Sequence, residues 1–138
     1  MKRKVFIFAL MVVLVATGLS SCNKAKGTAD VQNPKTSLDW AGVYTGTIPA
    51  ADVSGINVRM QINKDNTYEL TYEYLDKPDN TFTFTGAFKW DDTGSVIIID
   101  IADAPSFYKV AENKLIQLDM KGNLITGDLA DYYVLSKE

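Results

Sequence analysis

The chain has 138 residues, with 14 Lys and Arg, 17 Asp and Glu, one Cys and no His. Without histidine it lacks the commonest general base and the commonest transition-metal ligand. A formal charge of −3 with no basic face gives nothing to grip a phosphate backbone, so nucleic acid is not an expected partner.

The first residues divide by chemistry. Lys2, Arg3 and Lys4 form a cationic head, and Val5 to Ala16 is an uncharged apolar run of twelve. That suits a signal-peptide core but falls short of the roughly 20 residues of a spanning helix. Leu19-Ser20-Ser21-Cys22 then resembles a lipobox, with small residues to enter a peptidase and a thiol to accept the acyl group. Residues 1–21 are therefore predicted to be a lipoprotein leader and Cys22 the site of diacylglyceryl and then palmitate-type N-acylation. The competing reading is an ordinary signal peptide that leaves Cys22 as a free thiol. Cys22 is the single cysteine and has no disulfide partner within the chain, which favours lipidation. Several acyl chains hold a body to a membrane far more firmly than one. Asn23 after Cys22, where an acidic residue favours inner-membrane retention, points to the outer membrane, with the body in the periplasm or at the cell surface.

The leader takes three basic residues with it, leaving 11 against 17 acidic ones and a charge near −6. Residues 22–38 are polar, contain Gly27 and Pro34, and read as a flexible lipidated tether. Residues 39–138 make one small domain that must rest on its hydrophobic core.

That domain alternates apolar and polar residues nearly throughout, the signature of strands rather than helices. Gly42 to Ile48 and Ile56 to Ile62 are the first two strands, with Val58, Met60 and Ile62 facing inward. Asn63-Lys64-Asp65-Asn66 is a hairpin turn. Tyr68, Leu70, Tyr72 and Tyr74 alternate with Glu69, Thr71 and Glu73. Phe82 to Trp90 reads as a single further strand, and Asp91-Asp92-Thr93-Gly94 as a tight turn. Val96 to Ile101 follows, then an irregular stretch around Pro105, Phe107 to Val110, Leu115 to Asp119, Leu124 to Gly127 and Tyr132 to Leu135. This is an all-β, antiparallel, up-and-down meander. A closed or nearly closed barrel is favoured over a sandwich, because Greek-key crossovers need longer connections than these.

Several segments together resemble the N-terminal domain of the copper resistance protein NlpE family of bacterial envelope lipoproteins. They are Trp40 to Pro49, Ala51-Asp52, Gly55-Ile56, Asn66 to Leu70, Gly86 to Trp90, Leu115 to Asp119 before Gly122, and Tyr133 to Leu135. The resemblance spans Trp40 to Lys137. It implies a lipocalin-like barrel and an envelope lipoprotein linked to surface sensing or stress signalling. Many members carry a Cys-x-x-Cys in the loop after the first strand; Ala50 and Val53 stand there here, without the thiolates that Cu(I) prefers. Metal binding is therefore not expected, nor is any cofactor. The longer members' second domain lies beyond the resemblance.

Other candidates read as structure. Asp52 serves to bond nearby amides, and the Asp91-Asp92 cluster lacks the spaced ligands of a calcium loop. Met60 and Met120 read as core, and Glu69 and Glu73 point outward from one strand. No catalytic residue is assigned. The crowded aromatics Tyr68, Tyr72, Phe82, Phe84 and Phe88 are either a packed core or a pocket for a lipid or acyl chain. The expected function is that of a non-enzymatic, membrane-anchored sensor or interaction domain, with another envelope protein as partner. The alternative is a carrier of a small hydrophobic ligand in the barrel lumen.

Overall fold

The structure, a computed structural model, describes residues 32–138; the leader and Cys22 lie outside the described residues. The strands are β1 (Gly42–Ile48), β2 (Ile56–Ile62), β3 (Thr67–Tyr74), β4 (Thr81–Ala87), β5 (Lys89–Trp90), β6 (Val96–Ile101), β7 (Ala104–Ala111), β8 (Lys114–Gln117) and β9 (Val134–Lys137). They form one antiparallel sheet in the order β4-β3-β2-β1-β9-β8-β7-β6-β5. The two outermost strands of that order are consecutive in the chain, so the sheet curls into a nearly closed barrel.

The closure corrects one sequence expectation. Phe82 to Trp90 is not a single strand: it breaks at Phe88. Before the break β4 pairs with β3, and after it β5 pairs with β6. The Phe88 amide donates to Asn66 O at 2.8 Å, and its buried ring meets Trp40 edge-on at 5.9 Å and Trp90 at 6.0 Å. One residue thus hands the chain from one side of the barrel to the other and pulls a large apolar side chain into the core.

Inward residues follow period two, as a pleated strand requires. Tyr44, Met60, Leu70, Ile97, Ile99, Tyr108 and Leu115 are all fully buried. Gly86 lies against the Tyr68 ring, where an added Cβ would come within 3.2 Å of it. At the other crowded point, a Cβ on Gly46 would sit 2.8 Å from Leu135 Cδ2 and 3.1 Å from the Val134 carbonyl. These glycines permit close approach of neighbours across the sheet.

The last residues assigned to the tether are ordered. Asn33 caps a single turn, α1 (Pro34–Ser37), by accepting from the Thr36 amide at 3.1 Å. The Lys35 amide donates to Gly94 O, and Trp40 Nε1 donates to Lys35 O at 3.0 Å. The indole of Trp40 thereby plugs one end of the barrel.

Four further expectations differ. Pro105 lies within β7, opposite Asp100. Hydrogen bonding between Ser95 and Val110 sets the phase of this ladder, so the nitrogen of Pro105 turns away from β6 and no ladder bond is lost. Leu124 to Gly127 is no strand: only Leu118 bridges to Leu124, and Gly127 takes a φ of +99°. Tyr132 and Tyr133 belong to a 3-10 turn (Ala130–Tyr133) that precedes β9. Met120 is 88% exposed at the tip of a turn whose amides are held by Asp119, and it is not core.

Candidate functional site

The predicted aromatic pocket residues separate into tiers. Phe88 belongs to the plugged end, with Trp40 and Trp90. Tyr68 is buried, and its hydroxyl donates to Asp100 O at 2.9 Å, tying β3 to β6 where their strands part. Tyr72 and Phe84 meet edge-on at 6.1 Å farther along the lumen and are half-buried. Phe82 stands apart: it is 52% exposed and packs on Tyr74 at the open rim. The structure brings Tyr68, Tyr72, Phe84 and Phe88 to one interior and leaves Phe82 at its lip.

Tyr108 shares this interior, and the sequence reading did not single it out. Burial pushes its hydroxyl well above the usual phenol range, and the neighbouring Tyr72 and Tyr68 phenols add to the shift. Tyr72 is also raised by burial. The two phenols face one another, yet the Tyr108 oxygen lacks bonding geometry to any group of the described residues. A lone Tyr among apolar neighbours carries no sequence signal that its hydroxyl will be orphaned; only the packing shows it.

Two concavities lie outside the lumen. One of about 550 Å³ runs over the outer face of β1 to β4. Its polar side chains bond one another: Thr47 to Asn57 at 2.8 Å and Asn57 to Glu73 at 3.0 Å. Glu69 pairs with Arg59 at 3.5 Å, both well exposed, an arrangement worth little in water. A second concavity, of about 320 Å³, lies at the open end, where Leu129 and Tyr132 stand over Ile48, Pro49 and Ser54. Leu129 and Tyr132 are each more than half exposed.

The loop between β1 and β2 borders that open end. Asp52 does not bond its backbone; Asp76 does, accepting from the Ser54 amide and hydroxyl. Ala50 and Val53 supply no metal donor, and no three Cys, Asp or Glu side chains converge among the described residues. The residues present do not fit a copper site of thiolate type.

Comparison with known proteins bears on this barrel. The family model described as the NlpE N-terminal domain matches residues 44–128. The chain belongs to that family. Lipoprotein NlpE of Escherichia coli (strain K12) is 26% identical over 129 residues, which is 91% of this chain and 54% of the relative. The chain thus spans about half the length of that relative. A crystal structure of a proposed lipoprotein from Shewanella oneidensis superposes with a TM-score of 0.71 at 42% identity, covering 78% of this chain and 96% of that one. The crystal structure of the Cpx pathway activator NlpE from Escherichia coli superposes with a TM-score of 0.54 at 23% identity, over 63% of this chain and 46% of that one. This last likeness concerns the fold alone. The NlpE-type barrel here is therefore a family scaffold, with Ala50 and Val53 in its first loop.

Proposed function

We propose that this protein is a cell-envelope lipoprotein, anchored through acylated Cys22, whose barrel is a non-enzymatic interaction module linked to envelope stress. Family membership supports the lipoprotein part, and the relative described as a Cpx pathway activator motivates the stress link. The observation that carries the interaction reading is where the space lies. The barrel centre is filled by fully buried side chains, while the apolar open-end groove bears Leu129 and Tyr132 in water. Exposed apolar groups gathered around a concavity mark a surface that another protein covers.

The test expresses the full chain in bacteria carrying an envelope-stress reporter, beside Cys22→Ser and Leu129→Asp/Tyr132→Asp. Wild type raises the reporter and yields an N-terminal peptide with acyl mass. Cys22→Ser loses both, and the double variant loses the reporter response while keeping acylation and fold. A wild-type protein without acyl mass, or a double variant as active as wild type, overturns the reading.

A second reading, carriage of a small amphiphile, draws support from the orphaned Tyr108 hydroxyl beneath half-buried Tyr72 and Phe84. Native mass spectrometry of protein purified without lipid extraction tests it. Co-purified fatty acid that Tyr108→Phe abolishes favours the carrier, and unliganded mass sinks it.

A further inference from the structure

The barrel closes covalently through Phe88 but not along its whole length. Among the described residues the β5–β6 ladder pairs only Lys89 with Ile98 and Trp90 with Ile97, whereas β4 pairs only with β3 and approaches β6 without pairing to it. Which groups of β4 this leaves free follows from the phase of its ladder. The Tyr74 amide donates to Asn80 O at 2.9 Å and the Phe88 amide to Asn66 O at 2.8 Å. Both pairs continue the β3–β4 register, in which Tyr72 faces Phe82, Leu70 faces Phe84 and Tyr68 faces Gly86. In an antiparallel ladder alternate pairs exchange both bonds. Phe82, Phe84 and Gly86 therefore spend their amides and carbonyls on β3. Thr81, Thr83 and Thr85 turn theirs outward, and all three residues are exposed.

Edges of this kind are normally guarded by lysine, proline or a bulge. Thr81-Phe82-Thr83-Phe84-Thr85 has none of these and no charge. It is also a palindrome. Paired antiparallel with a second copy about Thr83, it would set Thr83 opposite Thr83 and Thr81 opposite Thr85, and these are the residues whose amides and carbonyls are free. About six backbone hydrogen bonds would form. On the outer face threonine would meet threonine, and on the inner face Phe82 would meet Phe84 of the other copy. Both are favourable cross-strand pairs. The 52% exposed ring of Phe82 would gain cover in the process. Beyond the palindrome Asp79 would lie opposite Ala87, and Lys77 would come opposite Lys89 only past the end of β4, where the chain has left the strand.

We propose that β4 is a self-association edge, and that two copies of this chain join their barrels through an antiparallel β4–β4 pair centred on Thr83. The palindrome selects a second copy over any other extended segment, because heterologous strands have no reason to match Thr with Thr and Phe with Phe. A single strand pair is a small interface, so association is weak and concentration-dependent.

The test uses the full-length chain purified in detergent. In the proposed pair the two Thr83 Cα atoms lie about 5.5 Å apart, within disulfide reach. Thr83→Cys should give a covalent dimer under mild oxidation. Thr71→Cys, outward on β3 and beside Thr83, should not, and wild type run alongside reports any linkage through Cys22. Thr83→Pro removes an edge amide and the exposed hydroxyl contact with Thr71, leaves every backbone bond to β3 in place, and should weaken sedimentation-detected dimerisation by about tenfold or more. If circular dichroism shows that variant unfolded, Thr83→Lys, which places like charges on the two-fold axis, takes its place. The proposal fails if Thr83→Cys links no better than Thr71→Cys. It fails equally if the folded edge variant dimerises as wild type does, which would assign the edge to another occupant or to none.

Discussion

Tyr108, Tyr44 and Tyr68 are all buried tyrosines, yet removing their hydroxyls should act with opposite signs. Tyr44 donates to Trp40 O at 2.7 Å and Tyr68 to Asp100 O at 2.9 Å, whereas the Tyr108 hydroxyl bonds no group of the described residues. An unpaired buried hydroxyl costs about 1–3 kcal/mol, while a made neutral bond contributes about 1 kcal/mol net. Tyr108 is 0% exposed, so its ring stays fully packed as Phe and only the oxygen is lost. Tyr108→Phe should therefore stabilise the domain by about 1 kcal/mol, a rise in melting temperature of roughly 4–8 °C for a domain of this size. Tyr44→Phe and Tyr68→Phe should each destabilise by about 1 kcal/mol. Urea unfolding followed by far-ultraviolet circular dichroism measures all three, with an unchanged denaturant slope certifying that only stability moved. A loss of 1 kcal/mol or more in Tyr108→Phe would refute the reasoning, because it would mean that the hydroxyl has a bonding partner after all. That result would also point back to an amphiphile in the lumen.

Gly46→Ala brings a methyl against both Leu135 and the Val134 carbonyl. The side chain can yield but the backbone cannot, so the variant should lose about 1–3 kcal/mol by the same urea assay. At alkaline pH, burial, aided by the Asp39 carboxylate, pushes Tyr44 up to about 12, and Tyr108, Tyr72 and Tyr68 are raised in the same direction. Ionisation then favours the unfolded chain, so stability should hold below pH 10 and fall as pH climbs toward 12. A flat profile across that window in thermal melts would contradict it. Asp91 titrates the other way. Partial burial by itself would raise it, but the Val96 amide, the Thr93 hydroxyl and the Ser95 amide hold it below the ordinary carboxylate range. Its contribution should be present above the ordinary carboxylate pKa and lost on acidification, and Asp91→Ala should cost about 1–2 kcal/mol at neutral pH while flattening the acid limb.

Period-two alternation in the sequence determined the first strands closely: β1 and β2 run between the residues where alternation starts and stops, whereas β6 follows from a run that is apolar on both faces. The reason is local. A strand with one wet face must alternate, and Asn66, at a φ of 65°, takes the left-handed turn that the polar hairpin requires. Absent histidine and the Ala50 and Val53 positions were equally plain from residue identity alone. Tertiary structure decided the rest. The break at Phe88 could not be read from an unbroken alternation, because it depends on two strands at opposite edges of the sheet meeting in space. Met120 and Leu124 look apolar in sequence but have no surface to cover in the turn where the chain puts them. The orphaned Tyr108 hydroxyl and the free edge of β4 are likewise relations between distant segments. The sequence contains the Thr-Phe palindrome, but only the barrel's incomplete seam leaves its amides and carbonyls without partners.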